Sequence, residues 1–317
     1  MTKIVILSAG RRVSLVRCFQ QAAKSNGFEI VAADLNPSMS AACHIADANF
    51  TLPHVNSPEY AEELLAYCAN NNVQLVVPTI DTELLGLSEL QPRLNDIGCT
   101  AVVSNPEIVS ICRDKRRTST YFEAKGIRSP ALFQADNLPF PVFIKPYDGS
   151  LSSGAAVIRT AGDLTQEMLR NPKNMFCQFL DPRNYSEYTC DAYFNRDGYL
   201  KCVVPRLRVE VRGGEVSKGR TSKNEIVPFL FEKLGRLDGA RGCLTIQIMR
   251  HNSDGQLFLL EINPRFGGGY PLTARSNALY HSWLIDEYIL GKPVDRYDDW
   301  QDGLTMLRYD GEVFIER

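Results

Sequence analysis

Three short apolar runs in the first part of the chain are each followed by a segment with a different periodicity. The runs are KIVILSAG, FEIVAADLNP and VQLVVPTID. The longer segments that follow repeat apolar residues every three or four positions, which is the spacing of an amphipathic helix. Strands that alternate with helices form parallel sheets joined by right-handed crossovers. The pattern therefore predicts a Rossmann-like, doubly wound α/β domain over residues 1–108.

The pattern changes after residue 108. The segment FPVFIKPYDGSLSSGAAVI predicts two strands joined by a glycine and serine turn, with Lys145 at the end of the first strand. Further on, VVPRLRVEVRGGEVSKGRTSKN predicts a basic hairpin that turns at Gly213 and Gly214. Paired strands of this kind predict an α+β architecture for the rest of the chain.

Composition and charge exclude several classes of protein. The 317 residues are 44% hydrophobic, and 35 Lys and Arg nearly balance 37 Asp and Glu. No overall field therefore favours nucleic acid or an anionic membrane, and no apolar stretch has the length of a bilayer. The 9 cysteines form no CxxC pair and no Cys/His cluster, which favours reduced thiols. We expect a cytoplasmic protein that binds small molecules.

Polar residues gather where the strands of the predicted N-terminal sheet end. Ligands of doubly wound sheets bind at the carboxyl ends of the strands, so the candidates for substrate contact are Arg11, Asp34, Asp81 and Glu83. A nicotinamide site would need GxGxxG, whereas the turn SAGRRVSL has one glycine. Arg11 and Arg12 stand at a helix start, where they either hold a small anion or meet water.

Glu261, Asn263 and Arg265 occupy alternate positions at the end of an apolar strand. Side chains two apart on a strand share a face, so this face carries a carboxylate, an amide and a guanidinium. An adjacent antiparallel strand, CLTIQIM, would bring Gln247 beside them. Such oxygen donors suit Mg²⁺ held mainly by phosphate. The alternative is a strand that simply leaves the core into a turn.

Five motifs follow one another in an order typical of one superfamily. They are CRDK, FIKP, CQFLDPRNYSEYTCDAYF, CLTIQIMRH and LLEINPRFGGG. In this order and rough spacing the chain resembles the ATP-grasp superfamily, and within it the carboxylate-amine ligases similar to the large subunit of carbamoyl-phosphate synthase. The resemblance covers nearly the whole chain. It implies a pre-ATP-grasp domain at 1–108, a small grasp subdomain at 109–178 and a large one at 179–317.

The resemblance implies which residues bind ATP. Lys115 and Lys145 match two cations that hold the phosphates, and two cations suit a polyphosphate. Glu187 matches the carboxylate that accepts hydrogen bonds from the ribose, although two extra residues separate it from the hinge strand. In that strand Gln178 stands where a glutamate is common. The remaining ATP contacts lie in the glycine and serine turn and in the hinge, at Ser150, Ser153, Gly154, Phe179 and Leu180.

Metal ligands and catalytic cations follow from the same resemblance. Gln247, Glu261 and Asn263 match the metal ligands, so the implied cofactors are ATP and Mg²⁺ or Mn²⁺. Arg265 matches the cation at the transferring phosphoryl group. Arg208 matches an arginine near the acylphosphate, and its competing interpretation is an exposed position on a basic hairpin.

The implied activity is that of a ligase. A carboxylate takes the γ-phosphoryl group of ATP to give an acylphosphate, which an amine then attacks. The implied partners are a small carboxylate and an amine, with amino acids as a family-level expectation, and a second copy of the chain in a homodimer. Three alternatives stay open: a nucleotide-binding regulatory module without turnover, a carbamate or carboxyl kinase, and a nicotinamide oxidoreductase.

Overall fold

The N-terminal layer is a parallel sheet with helices on both faces. The structure is a computed structural model that describes residues 1–149 and 153–315. The elements of this layer are β1 (Lys3–Ile6), α1 (Val13–Ala23), β2 (Glu29–Asp34), α2 (Ala41–Ile45), β3 (Ala48–Thr51), α3 (Tyr60–Asn70), β4 (Val73–Val77), α4 (Leu84–Asp96) and β5 (Thr100–Ala101). The strand order is β3-β2-β1-β4-β5, and each pairing is parallel. The predicted Rossmann-like sheet is confirmed.

The central strands of this sheet are buried on both faces. Ile4, Val5 and Ile6 of β1 have no exposed surface, and burial on both sides explains why these strands are continuous apolar runs. After β1 the chain turns at Gly10, whose φ is +46°, and enters α1. Polar loops follow the carboxyl ends of β1 and β4 and face the rest of the molecule.

Two helices, α5 (Pro106–Arg113) and α6 (Lys115–Ala124), precede a small antiparallel sheet. Its elements are β6 (Leu132–Phe133), β7 (Val142–Pro146), β8 (Ala156–Ile158), α7 (Gln166–Arg170) and β9 (Asn174–Gln178). The strand order is β6-β9-β7-β8. The glycine and serine turn predicted between two strands connects β7 and β8.

A large antiparallel sheet forms the rest of the chain. Its elements are β10 (Tyr185–Phe194), β11 (Leu200–Arg212), β12 (Glu215–Thr221), α8 (Ile226–Leu234), β13 (Gly242–His251), β14 (Leu257–Asn263), α9 (Tyr270–Arg275), α10 (Tyr280–Tyr288) and β15 (Thr305–Leu307). The order is β14-β13-β10-β11-β12-β15. Gly213 and Gly214, at φ +57° and +78°, turn β11 into β12, as the sequence predicts.

The large sheet shares its cores with elements that precede it. Phe19 of α1 packs edge-on against Phe266, with ring centroids 6.0 Å apart, so the N-terminal layer and the large sheet bury one common core. Phe122 of α6 is fully buried in the core on the sheet's other side. Helix α6 falls within the predicted small subdomain. The apolar face of α6, however, packs on the large sheet, and the small sheet begins at Leu132.

Two further observations concern the state of the cysteines and the lengths of the helices. All nine cysteines are free. Across the ranges 1–149 and 153–315, no helix has the length and apolar character needed to span a bilayer.

Candidate active site

The pairing of β13 with β14 assembles the predicted oxygen donors. Gln247 lies opposite Glu261, and Thr245 lies opposite Asn263, so the predicted antiparallel neighbour is confirmed. The Asn263 Nδ2 atom donates a hydrogen bond to Glu261 Oε1 at 3.0 Å. One carboxylate and two amide groups thus share one face at the end of the sheet.

Lys115 joins this group of oxygen donors from the start of α6. Its Nζ atom lies 3.2 Å from Glu261 Oε2 and donates to the Gly149 carbonyl at 2.6 Å. The Lys115 backbone N–H donates to the Tyr147 carbonyl at 3.0 Å. Lys115 therefore ties the chain that leaves β7 to the carboxylate of the large sheet.

Lys145 lies on β7, and its positive charge also acts on the carboxylate of Glu261. Burial raises the pKa of Glu261, but Lys115, Lys145 and the Asn263 amide together bring that pKa below its usual value. The carboxylate is therefore ionised at neutral pH and suited to bind a cation. In the turn after β7, Ser153 is exposed and Gly154 has a φ of +71°, while Ser150 lies outside the described residues.

Arg265 connects the large sheet to the N-terminal layer. Its Nη2 atom lies 2.6 Å from Asp81 Oδ2, at the carboxyl end of β4. Arg12 lies close by, and its pKa is lowered by burial and by the charge of Arg265. Its Nη2 atom makes one long hydrogen bond, 3.4 Å, to the Thr79 carbonyl. The charges of Glu215 and Asp81 oppose the lowering of the Arg12 pKa, so two guanidinium groups and two carboxylates meet at this corner.

Glu261, Asn263 and Arg265 line one cleft, which we call the central cleft, and Lys115 lies beside it. The cleft encloses about 390 Å³ between the N-terminal layer and the polar face of the large sheet. Its polar lining consists of Arg12, Thr79, Asp81, Thr82, Arg113, Thr189, Arg206, Arg208, Glu215, Thr245, Gln247, Glu261, Asn263 and Arg265. The predicted metal ligands and the predicted catalytic arginines therefore meet in one place.

Glu187 and Arg208 face each other across β10 and β11. The Arg208 Nε atom lies 3.3 Å from Glu187 Oε1, and its Nη2 atom donates to the Gly214 carbonyl at 3.2 Å. Burial, together with the charge of Glu261, raises the pKa of Glu187 although Arg208 and Lys145 oppose the shift. The structure thus pairs a residue predicted at the ribose with one predicted at the acylphosphate.

The hinge strand β9 is held by the residue that precedes β6. The Gln178 backbone N–H donates to the Ala131 carbonyl at 2.8 Å, and the Gln178 side-chain oxygen accepts from the Ala131 N–H at 3.4 Å. The contact of Gln178 with ATP stays a prediction. After Gln178, Phe179 is half-buried and Leu180 is buried.

Of the four N-terminal candidates, only Asp81 lines the central cleft. Glu83 is 2% exposed and accepts hydrogen bonds from Ser8 Oγ, Thr79 N and Ile80 N at 2.7, 2.7 and 3.1 Å. The Glu83 carboxylate thus binds the loops after β1 and β4 together. The prediction that Glu83 contacts substrate is corrected accordingly.

The other two N-terminal candidates point elsewhere. Asp34 accepts from the backbone N–H of Gly10 at 2.8 Å and lines a separate pocket beside Tyr60. The Arg11 side chain is 79% exposed and lies 3.2 Å from Glu215. Neither side chain lines the central cleft with Asp81, and their contact with substrate stays a prediction.

A buried ion pair beneath the central cleft escaped the sequence analysis. Arg206 Nε and Nη2 donate to Asp191 at 3.0 and 2.9 Å, and Thr273 Oγ1 donates to the same carboxylate at 2.6 Å. The signal was present in the alternation of β10, because Asp191 lies on the same face as Glu187 and Thr189.

Two family models match the sequence. The model described as the PylC-like N-terminal domain matches residues 4–102. The model described as the ATP-grasp domain in the biosynthetic pathway with Ter operon matches residues 172–311. A search of curated proteins gives no significant match.

Solved structures of three other proteins share the fold. The biotin carboxylase domain of 2-oxoglutarate carboxylase from Hydrogenobacter thermophilus, a dimer with MgADP, ADP and bicarbonate, has a TM-score of 0.72 at 16% identity, over 96% of this chain and 73% of that one. N5-carboxyaminoimidazole ribonucleotide synthetase from Thermotoga maritima has a TM-score of 0.64 at 18% identity, over 93% and 77%. Pyruvate carboxylase from Rhizobium etli has a TM-score of 0.71 at 14% identity. The match covers 96% of this chain, which spans 30% of the length of the pyruvate carboxylase chain.

Proposed function

Because the chain belongs to the ATP-grasp superfamily, with a PylC-like domain ahead of its grasp domain, we propose that it is an ATP-dependent carboxylate-amine ligase. The observation that carries this proposal is the contact of Glu261 with both Lys115 and Asn263, at 3.2 and 3.0 Å, at the edge of the central cleft. Cations and oxygen donors without a dedicated nucleophile suit phosphoryl transfer, which depends on positioning and charge neutralisation.

The oxygen donors fit Mg²⁺ better than any softer metal. Gln247, Glu261 and Asn263 offer one charged and two neutral hard ligands, so the ion would depend on phosphate oxygens for most of its coordination. Within the described residues there is no group of three or more His, Cys, Asp or Glu that could hold a metal. When bound, Mg²⁺ supplies charge neutralisation at the phosphates, and Lys115 would turn from Glu261 to a phosphate oxygen.

The remaining groups of the cleft match the two steps of a ligase. Arg265, held by Asp81, faces the region where a carboxylate oxygen would attack the γ-phosphorus and displace ADP. Arg208 would stabilise the acylphosphate so formed. An amine nitrogen then attacks the acyl carbon, phosphate leaves, and the nitrogen loses its proton. A cleft of about 390 Å³ suits small-molecule substrates.

The test is ADP release from Mg-ATP over a panel of small carboxylates and amines. We expect release that depends on added substrate and falls at least about 100-fold in Glu261→Gln, because the substitution removes the only charged oxygen ligand. Glu232→Gln is the matched control, since its side chain is 71% exposed and pairs only with the neighbouring Lys233.

The same panel separates the alternatives. Release that needs the carboxylate but not the amine would identify a carboxyl kinase. If no substrate pair produces ADP while ATP still binds, the ligase would be rejected and a regulatory module favoured.

A further inference from the structure

A second cleft opens beside the central cleft, between α1, β12 and the segment after β15. It encloses about 480 Å³. We call it the arginine cleft after its charged lining, which includes Arg11, Arg12, Arg17, Arg212, Glu215 and Arg308. Asp310 and Glu312 add two carboxylates at its edge, so five guanidinium groups face three carboxylates.

Glu215 lies among three of these arginines. Its carboxylate lies 3.2 Å from Arg11 Nη2 and 2.9 Å from Arg308 Nη1. Burial raises the pKa of Glu215, but Arg11, Arg12 and Arg308 together bring it below its usual value. One carboxylate cannot satisfy the donors of three guanidinium groups, since each group carries five N–H bonds. Arg308 also donates to the Gly268 carbonyl, and Arg12 to the Thr79 carbonyl. These acceptors are neutral, so the inner part of the cleft keeps an excess of positive charge.

Helix α1 adds to this excess. Its start carries no acidic residue in the first turn and no capping side chain, and Val13 and Ser14 line the arginine cleft. The first N–H groups of a helix lack intrahelical acceptors, and together with the helix dipole they attract anions. Arg17, one turn further along α1, is exposed and makes no ion pair within the described part of the chain.

The two clefts adjoin each other. Their linings share Arg12, Glu215, Val216, Gly267 and Gly268, so a molecule bound across this shared edge would extend from the region of Arg265 towards Arg11. Resting on the proposed function, we infer that one of the ligase substrates carries a phosphate monoester, and that the arginine cleft binds it. A dianion with three acceptor oxygens matches several guanidinium groups and a helix start better than a single carboxylate does.

The first experiment measures binding alone. The nucleotide site is filled with Mg²⁺ and a non-hydrolysable ATP analogue, and inorganic phosphate is titrated at constant ionic strength while the melting temperature is followed. We expect a saturable rise in the wild type and in Arg170→Gln, an exposed arginine on α7 far from the cleft. In Arg11→Gln/Arg17→Gln the half-saturating concentration should rise at least about tenfold, the size of one charge-assisted hydrogen bond. No rise, or an equal rise in the double variant, would overturn the inference.

The second experiment uses substrates in matched pairs, serine with O-phosphoserine and ethanolamine with O-phosphoethanolamine. We expect ADP release with phosphorylated members, with a KM raised at least about tenfold in the double variant and the KM for ATP unchanged. Release with only the unphosphorylated members, equal in the double variant, would overturn the inference and leave the ligase standing. Phosphate binding that the double variant loses, without ADP release from any pair, would support the cleft and count against the ligase.

Discussion

Three cations in or beside the central cleft each hold a carboxylate in the structure. Lys115 pairs with Glu261 at 3.2 Å, Arg265 with Asp81 at 2.6 Å and Arg208 with Glu187 at 3.3 Å. Removing one partner from a buried pair leaves an uncompensated charge, whereas an exchange of partners keeps the charges balanced. A polyphosphate and a cation entering together would make such an exchange, so the cleft is arranged to bind both at once.

The buried histidine His281 gives the fold a predictable response to acid. The side chain is 5% exposed, and Tyr270 Oη lies 2.7 Å from its Nδ1 atom. Burial lowers the pKa of His281 from 6.5 to about 4. The unfolded chain therefore binds a proton below pH 6.5 that the folded chain rejects. Stability present above pH 6.5 is lost as the pH falls toward 4, by up to about 3 kcal/mol.

This expectation is measured by urea unfolding of the wild type and His281→Gln between pH 7.5 and 4.5. Glutamine keeps a hydrogen-bond acceptor near Tyr270 but does not titrate. The wild type should lose its advantage in unfolding free energy as the pH falls. Parallel pH dependences for the two proteins would contradict the assignment.

At the scale of elements, the turn between β14 and α9 is fixed by the ion pair below it. A Cβ atom at Gly269 would collide with the guanidinium of Arg206, which is 1% exposed and bound to Asp191. Gly269→Ala must therefore displace a buried charge pair. We expect a loss of about 2 to 4 kcal/mol of stability, together with reduced ADP release because Arg265 belongs to the same turn.

Chemical unfolding measures this loss. Gly86→Ala is the matched control, because a Cβ atom there meets nothing within 4 Å and the position lies inside helix α4, where alanine is favoured. Equal stability of the two variants would show that Arg206 can move without cost.

The same elements show what the sequence could predict. The register of Gln247 opposite Glu261 and the turn at Gly213 and Gly214 were predictable, because both depend on patterns within one or two strands. The burial of Arg206 and the binding of Gln178 to Ala131 were not. A single strand shows which face a side chain occupies, but not which element lies against that face, so the pairing of Arg206 with Asp191 could not be predicted.

At the scale of the whole molecule, the three sheets are unequally stabilised. The N-terminal layer and the large sheet share one core, to which Phe19 and Phe266 contribute. Among the described residues, the small sheet's own cluster of buried apolar side chains consists of Val142, Ile144, Ile158 and Phe176. Apolar burial is the main source of stability, so the small sheet is the part of the chain that opens most easily.

Hydrogen exchange tests this difference and its coupling to nucleotide. Amides of β7, β8 and β9 should exchange faster than those of β10 and β13. Mg²⁺ with a non-hydrolysable ATP analogue should slow exchange in β7 to β9 at least about tenfold, because the proposed nucleotide site includes Lys145 and the hinge strand, and binding stabilises the state that binds. Lys145→Gln should lose this protection, and Lys24→Gln, an exposed lysine after α1, should keep it. Protection that appears only in the N-terminal layer would instead place the nucleotide at the parallel sheet, as the nicotinamide alternative requires.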